Sequence, residues 1–178
     1  RQRQMCIRDR RKIWDIHGGI HPPENKTQSL GEAIRPAGIP AQLIVPLSQH
    51  IGAPAAPIVE VGDRVLKGQM IAEAKGFVSA PVHAPSSGTV AAIEARVIPH
   101  PSGMSAPCII IHCDGQDEWI SHQGVADYTQ LDKPSLLELI RNAGIAGMGG
   151  AGFPSAVKLS GGKDKPIDTL ILNGTECE

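Results

Sequence analysis

The stretch IVEVGDRVLKGQMIAEAKGFVSAPVHAPSSGTVAAIEA, residues Ile58 to Ala95, decides the fold of the larger part of this chain. Short apolar segments alternate in it with turn signals at Gly62-Asp63, Lys67-Gly68, Lys75-Gly76 and Ser87-Gly88. Regularly spaced turns between short apolar runs are typical of strands and leave no room for long helices. We therefore predict a small, flattened β-structure over these residues.

Weaker strand signals flank this stretch on both sides. Ala41 to Pro46 is a short apolar run, and Cys108 to Ile111 is another that Asp114-Gly115 closes. Trp119 is expected to cap the small core. Residues 121–133 are polar, which is typical of a connector, so the sequence predicts a domain boundary there.

A second informative stretch, GIAGMGGAGFPSAVK, runs from Gly144 to Lys158 and holds glycines at positions 144, 147, 149, 150 and 152. Bare backbone amides before a helix N-terminus attract anions, and Pro154 suits a first helical turn. Lys158 adds a positive charge about one turn further on. A flexible connector is the alternative, but connectors favour polar residues, and this stretch carries Met148 and Phe153. We predict a loop for a phosphate-bearing cofactor.

The loop matches no common phosphate motif in its proper context. Gly147-x-Gly149-x-x-Gly152 fits the dinucleotide fingerprint, which needs a strand directly before it. Here Pro134 to Ala143 has apolar residues at helical spacing, and Gly144 follows as a helix cap. The next predicted strand is Thr169 to Leu172. The order helix, loop, helix, strand argues against a Rossmann site, and the absence of Gly-Lys-Ser/Thr excludes a Walker loop.

Composition excludes several classes of protein. A net charge of −1 and 3% aromatic residues argue against a nucleic-acid partner. No apolar run approaches the roughly 20 residues that span a membrane, so no direct span is predicted. The four cysteines form no CxxC pair, and we assign neither a metal site nor a catalytic residue.

The β-rich stretch carries a family resemblance. GDRVLKGQ followed by APSSGTV resembles the lipoyl/biotinyl-type barrel-sandwich hybrid, in which carriers hold their prosthetic group on a hairpin lysine. Lys75 is near the corresponding place, but its context Ala-Lys-Gly-Phe is neither the Met-Lys-Met of biotin carriers nor the Asp-Lys-Ala of lipoyl carriers. The resemblance therefore implies a structural use of the fold, with a carrier role as an alternative.

The whole chain from about His17 resembles the RnfC (RsxC) component of the Rnf (Rsx) electron-transport complex. The resemblance rests on the order of GGIHPPENKTQS, the β-rich stretch, HPSG, GMGGAGFPSAVKL and TLILNGTECE. The second half is also similar to the flavoprotein subunit of respiratory complex I, which has a GRGGAGFP loop and a strand ending in Asn-x-Asp-Glu. These resemblances imply FMN on the glycine loop, NAD(H) stacked over it, and electron transfer to iron–sulfur clusters.

The resemblance also implies a cofactor-binding set: Gly147, Gly149, Gly150, Gly152, Phe153, Lys158, Asn173, Thr175 and Glu176. Gly147, Gly149 and Gly150 correspond to the glycines that lie against the flavin. Phe153 corresponds to a ring that stacks on the nucleotide's adenine, and Lys158 to a lysine near FMN. Thr175 stands where complex I has Asp, and Met148 where it has Arg, so each position lacks a charge. The Asn and Glu of the set match residues beside the flavin.

The expected fold class is α+β, in four segments. Residues 1–16 are expected to be a non-native or disordered leader, 17–120 a barrel-sandwich hybrid, 121–133 a connector, and 134–178 the incomplete start of an α/β FMN/NADH-binding domain.

The resemblance implies a peripheral electron-input subunit on the cytoplasmic side of the bacterial inner membrane, with the other subunits of the complex as partners. The two 4Fe–4S clusters of the family would be bound outside this sequence, so the chain by itself is expected to be inactive. A non-catalytic docking module and a prosthetic-group carrier are the alternatives.

Overall fold

The structure, a computed structural model, describes residues 18 and 23, 25–148, 151–161, 169 and 171. The chain divides into two units, residues 1–37 and 38–178. In the described part of the first unit, Lys26–Gln28 forms a 3-10 helix. The predicted leader, residues 1–16, lies outside the described residues.

In the described part of the second unit the strands form two antiparallel sheets, which agrees with the small β-structure that the sequence predicts. One sheet has the order β1-β7-β6-β3 and the other the order β2-β4-β5. The strands are β1 (Gln42–Pro46), β2 (Ala56–Pro57), β3 (Arg64–Val65), β4 (Met70–Glu73), β5 (Val82–His83), β6 (Gly88–Val97) and β7 (Ser105–Cys113). The small curled sheets agree with a barrel-sandwich hybrid.

The hydrophobic core draws side chains from both sheets. Val65, Val90 and Ile109 come from the larger sheet and Ile71 from the smaller one, and all four are buried. The register of β1 and β7 pairs Val45 with Ile109, so their core-facing positions lie side by side. Burying each such side chain contributes about 1.5–3 kcal/mol, which makes this cluster the main stabilising element of the unit.

Gly88 does not lie in a turn, and in this respect the sequence-based prediction was wrong. It is the first residue of β6 and pairs with Cys113 of β7. A Cβ at Gly88 would lie 2.1 Å from the carbonyl oxygen of His112. The glycine is needed because the neighbouring strand approaches its backbone closely, while the bend precedes it at residues 85–86.

Trp119 does not cap the core, contrary to expectation. Its side chain is 53% exposed. It lies against Gly68, where a Cβ would come within 3.1 Å of the indole, and its ring centroid is 4.8 Å from the ammonium of Lys67. The indole therefore covers a turn at the edge of the β-structure.

Among the described residues, a 3-10 helix (Tyr128–Gln130) and two α-helices follow the strands: α1 (Lys133–Asn142) and α2 (Ser155–Ser160). Asp132 caps α1 by accepting a hydrogen bond from the backbone N–H of Ser135 at 3.0 Å. Gly144 has a φ of +68° and its N–H donates to the carbonyl of Arg141, so it ends the helix as predicted. The helix predicted over 134–143 is thus confirmed within one residue at each end.

Of three other expectations, the structure corrects the one for Pro154. Pro154 is the residue directly before α2, one position earlier than a first-turn proline. The strand predicted over 169–172 falls mostly outside the described residues. The boundary at 121–133 stays a prediction. Among the described residues, no helix combines the length and the apolar character that crossing a bilayer requires.

Candidate functional site

The glycine stretch forms a narrow hairpin between α1 and α2. The N–H of Gly147 donates to the carbonyl of Phe153 at 2.8 Å, and the N–H of Ser155 donates to the carbonyl of Ile145 at 2.9 Å. The sequence predicts bare amides here. Those of Gly147 and Ser155 are not bare, because the loop folds back and pairs with itself.

Three residues of the predicted set lie close together: Gly147 and Phe153 in the hairpin and Lys158 in α2. The ammonium nitrogen of Lys158 is 5.6 Å from the ring centroid of Phe153. A Cβ placed on Gly147 would lie 3.9 Å from the same nitrogen. Lys158 is exposed and forms no ion pair within the described residues, so its charge is available to an anion at the loop.

Gly147 is not required by the fold that surrounds it. Its φ lies outside the left-handed region, so an L side chain would meet no backbone strain. An added Cβ would meet its nearest atom, the carbonyl oxygen of Phe153, at 3.5 Å, which is an ordinary van der Waals distance. The position therefore admits a Cβ, which atoms of Phe153 and Lys158 would contact at ordinary van der Waals distances.

Gly152, by contrast, is explained by the fold. Its φ is +53°, and a Cβ would lie 3.1 Å from the carbonyl oxygen of Gln49 and 3.2 Å from the Cα of His50. Next to it, the carbonyl of Ala151 accepts a hydrogen bond from the N–H of Ile51 at 3.1 Å. This end of the loop rests directly on the segment that follows β1.

At the other end of the loop, Gly144 lies against β5. A Cβ there would lie 3.0 Å from the carbonyl oxygen of Pro81 and 2.9 Å from the imidazole of His83. Burial of His83 at this contact lowers its pKa from the ordinary value of 6.5, and a hydrogen bond to the backbone of Asn142 acts in the opposite direction. Burial thus favours the neutral form of this imidazole beneath the end of α1.

A cleft of about 1040 Å³ lies between the hairpin and the β-structure. One wall is the loop itself, including Gly147 and Met148. The opposite wall comes from the segments 48–51 and 80–83 and from the β6–β7 turn at 98–100. Its volume is at the upper end of the range for cofactor pockets.

Sequence reasoning missed the β-structure's share of this cleft. In the sequence, His50 and His83 are two of seven scattered histidines without a ligand pattern. Each lies against a loop residue that is 60 or more positions away in the sequence. Local periodicity carries no information about such a contact.

The remaining members of the predicted set lie outside the described residues: Gly149, Gly150, Asn173, Thr175 and Glu176. In the part of the chain that the structure describes, no group of three or more His, Cys, Asp or Glu side chains is arranged to hold a metal ion.

Two family models match this chain. The model of the RnfC barrel sandwich hybrid domain matches residues 14–116, which is more than half of the sequence. The model of the Nuo51 FMN-binding domain matches residues 140–178, which include the glycine loop.

Curated relatives match nearly the whole chain. Proteins of Serratia proteamaculans, Klebsiella pneumoniae and Vibrio cholerae are each 52% identical to it over 167 residues, or 94% of its length. Each is named as the C subunit of an ion-translocating oxidoreductase complex. The chain spans 24%, 22% and 22% of these relatives, about a quarter of their length. By these matches and by its fold, the chain belongs to the RnfC family, with a barrel-sandwich hybrid followed by the start of an FMN-binding domain.

Proposed function

We propose that this chain forms part of a peripheral electron-input subunit in a membrane-bound, ion-translocating oxidoreductase. In this proposal FMN binds at the glycine loop, and electrons pass between NAD(H), FMN and two 4Fe–4S clusters whose ligands are outside this sequence. The names of the relatives and the match to an FMN-binding domain support the assignment. The proposed location is the cytoplasmic side of the bacterial inner membrane, where NAD(H) is available, with the other subunits of the complex as partners.

One observation carries the proposed flavin site. Gly147 lines the cleft, its backbone conformation needs no glycine, and no atom of the described residues would contact an added Cβ closer than 3.5 Å. A glycine that the protein's own packing does not need is well suited to a ligand that approaches the backbone closely. The planar ring system of a flavin is such a ligand.

Phe153 and Lys158 lie beside Gly147, outside the residues that line the cleft, and are proposed to contact the rest of the cofactor. Lys158 offers an ammonium group to the phosphate of FMN, and charge-assisted contacts of this kind are stronger than neutral hydrogen bonds. The half-buried ring of Phe153 provides an apolar surface for a nucleotide base. The proposed set is completed by Gly149, Gly150, Gly152, Asn173, Thr175 and Glu176. When bound, FMN supplies redox chemistry that links two-electron and one-electron carriers.

A glycine substitution tests the flavin site. In the subunit at the full length of its relatives, Gly147→Ala should weaken FMN binding at least about tenfold, because the methyl group occupies the space of the ring system. Its effect on thermal stability should be small, since no contact of the new Cβ is strained.

Gly124→Ala is the matched control, because Gly124 also lies outside the left-handed region and has nothing within 4 Å of its Cβ position. Titration followed by flavin fluorescence measures both variants. Equal FMN affinities for Gly147→Ala and Gly124→Ala would show that the flavin does not bind at this loop.

A comparison of two flavins tests the role of Lys158. Lys158→Ala should weaken FMN binding about tenfold through the loss of a charge-assisted contact. Riboflavin lacks the phosphate, so its affinity should not change. Lys133→Ala, at the start of α1, serves as a control for a general loss of positive charge. An equal loss of affinity for FMN and riboflavin would show that Lys158 does not hold the phosphate.

The contacts of the Lys75 hairpin disfavour a prosthetic-group carrier. The N–H of Lys75 donates to the hydroxyl of Ser79, which donates in turn to the carbonyl of Ala53. Arg141 of α1 donates to the carbonyl of Phe77. A carrier arm needs a hairpin that projects freely, whereas these hydrogen bonds attach the Lys75 hairpin to Ala53 and to α1. Mass spectrometry that found a lipoyl or biotinyl adduct on Lys75 would reverse this preference.

A further inference from the structure

The two ends of the glycine loop rest on two separate segments of the β-structure. The Gly144 end lies on residues 81–83, and the Gly152 end lies on residues 49–51. These two segments are about thirty residues apart in the chain, and 49–51 belongs to no strand or helix. The loop is therefore attached to the β-structure at two points, one at each end.

One side chain joins the two supports. The Nδ1 atom of His50 is 3.0 Å from the carbonyl oxygen of Ile51, and its Nε2 atom is 3.0 Å from the backbone nitrogen of Ala80 and 3.1 Å from the oxygen of the same residue. With the proton on Nδ1, the ring donates to Ile51 and accepts from Ala80, so both nitrogens are satisfied. Ala80 is buried and directly precedes Pro81, on which Gly144 lies.

The hydrophobic core does not account for this histidine. His50 is half-buried, lies on the wall of the cleft and is not a member of the core cluster. Its ring takes the place of backbone hydrogen bonds that a strand would have provided between the two segments. Without it, the buried N–H of Ala80 would lose its acceptor. The described segments would then stay joined through the next residues, where the N–H of Ala53 donates to the carbonyl of Val78 and the hydroxyl of Ser79 donates to the carbonyl of Ala53.

We propose that His50 is a positioning residue for the cofactor loop. It joins the segment 49–51, against which Gly152 lies, to the segment 80–83, against which Gly144 lies. In this way it fixes the conformation in which Gly147 faces the cleft and FMN can lie against it. The barrel-sandwich hybrid is then a structural component of the flavin site as well as a neighbouring domain. This inference rests on the proposed function for the identity of the ligand, but the positioning of the loop does not depend on a bound ligand.

Three variants test the proposal in the subunit at the full length of its relatives. His50→Ala removes both hydrogen bonds. His50→Gln keeps an amide oxygen that can accept from the N–H of Ala80, so it should restore part of the effect. His112→Ala is the matched control, because His112 is an exposed histidine on β7 whose ring bonds to Gln42, away from the cleft.

Two measurements are made on each variant. Amide hydrogen exchange without FMN reports on the loop through the N–H groups of Gly147 and Ile51, and on the core through the N–H of Ile110. Flavin titration reports on the site. His50→Ala should speed exchange in the loop at least about tenfold relative to Ile110 and weaken FMN binding about tenfold. His50→Gln should be intermediate, and His112→Ala should resemble the wild type.

The outcomes separate this inference from the proposed function. If the unaltered subunit binds no FMN, the proposed function fails, and the exchange measurement still decides whether His50 positions the loop. If His50→Ala speeds exchange equally in the loop and at Ile110, the histidine is a general stabilising residue and the inference is overturned. It is also overturned if the loop amides exchange as in the wild type, or if a subunit that binds FMN keeps its affinity after His50→Ala.

Discussion

Gly152→Ala should separate the loop from its support after β1. The substitution forces an L side chain into a left-handed conformation, which costs about 1–2 kcal/mol, and it places a Cβ 3.1 Å from the carbonyl oxygen of Gln49. We expect a lower free energy of unfolding in urea and faster exchange of the Ile51 amide, which bonds to Ala151.

Gly103→Ala separates the cost of the left-handed conformation from the cost of the contact with Gln49. Gly103 has a φ of +65° and nothing within 4 Å of its Cβ position, so it carries the conformational cost without the contact. If both variants lose the same stability and the Ile51 amide stays protected in each, the contact between Gly152 and Gln49 is not part of what holds the loop.

The sequence shows where glycines are, but not why each one is needed. Gly88 and Gly152 are required by backbone atoms of residues that are distant in sequence, His112 and Gln49. Gly147 is free of both constraints. Local turn rules assigned Gly88 to a turn because they contain no information about a neighbouring strand. The family resemblance selected Gly147, but it does not separate its role from that of Gly152.

The predictions for helices and strands succeeded where short-range patterns determine the structure. Alternating apolar residues and turns located the β-structure, and the spacing of leucines located α1 together with its glycine cap. The contacts between these elements were not foreseen. Gly144 lies on His83, but the sequence signal at Gly144 describes only the end of a helix. The same residue thus both ends α1 and attaches it to β5.

This attachment should weaken in mild acid. The pKa of His83 is lowered by burial, so between pH 6.5 and its folded pKa the unfolded chain binds a proton that the folded chain does not. Stability is therefore full above pH 6.5 and declines as the pH falls below that value. Urea unfolding between pH 7.5 and 5 should show this decline, and His83→Gln should reduce its slope.

Asp114 and Asp117 titrate at lower pH than His83, so they do not contribute to a change in stability between pH 7.5 and 5. Hydrogen bonds from Ser87 and from Lys67 lower the pKa values of Asp114 and Asp117, respectively, below the ordinary 3.8. Their stabilising contribution is present above pH 3.8 and is lost only at lower pH. A slope between pH 7.5 and 5 that persists unchanged in His83→Gln would mean that another group causes it.

The contacts of Gly144 and Gly152 with the β-structure affect how the whole molecule unfolds. The sequence predicts a domain boundary at 121–133, and two independent domains on either side of it would unfold separately. In the structure, the segments that follow this boundary belong to the same unit, 38–178, as the two sheets. The hydrogen bonds of Ile51 and Arg141 to residues across the boundary join the helices to the β-structure.

We therefore expect the sheets and the helices to unfold in a single transition. In a Trp14→Phe background, the fluorescence of Trp119 reports on the β-structure, while circular dichroism at about 222 nm reports on α1 and α2. The two signals should share one urea midpoint, and in His50→Ala they should move apart, with the helical signal lost at a lower urea concentration. Separate midpoints in the unaltered chain would mean that the predicted boundary at 121–133 divides independent domains, and that contacts at Gly144 and Gly152 do not couple the cofactor loop to the sheets.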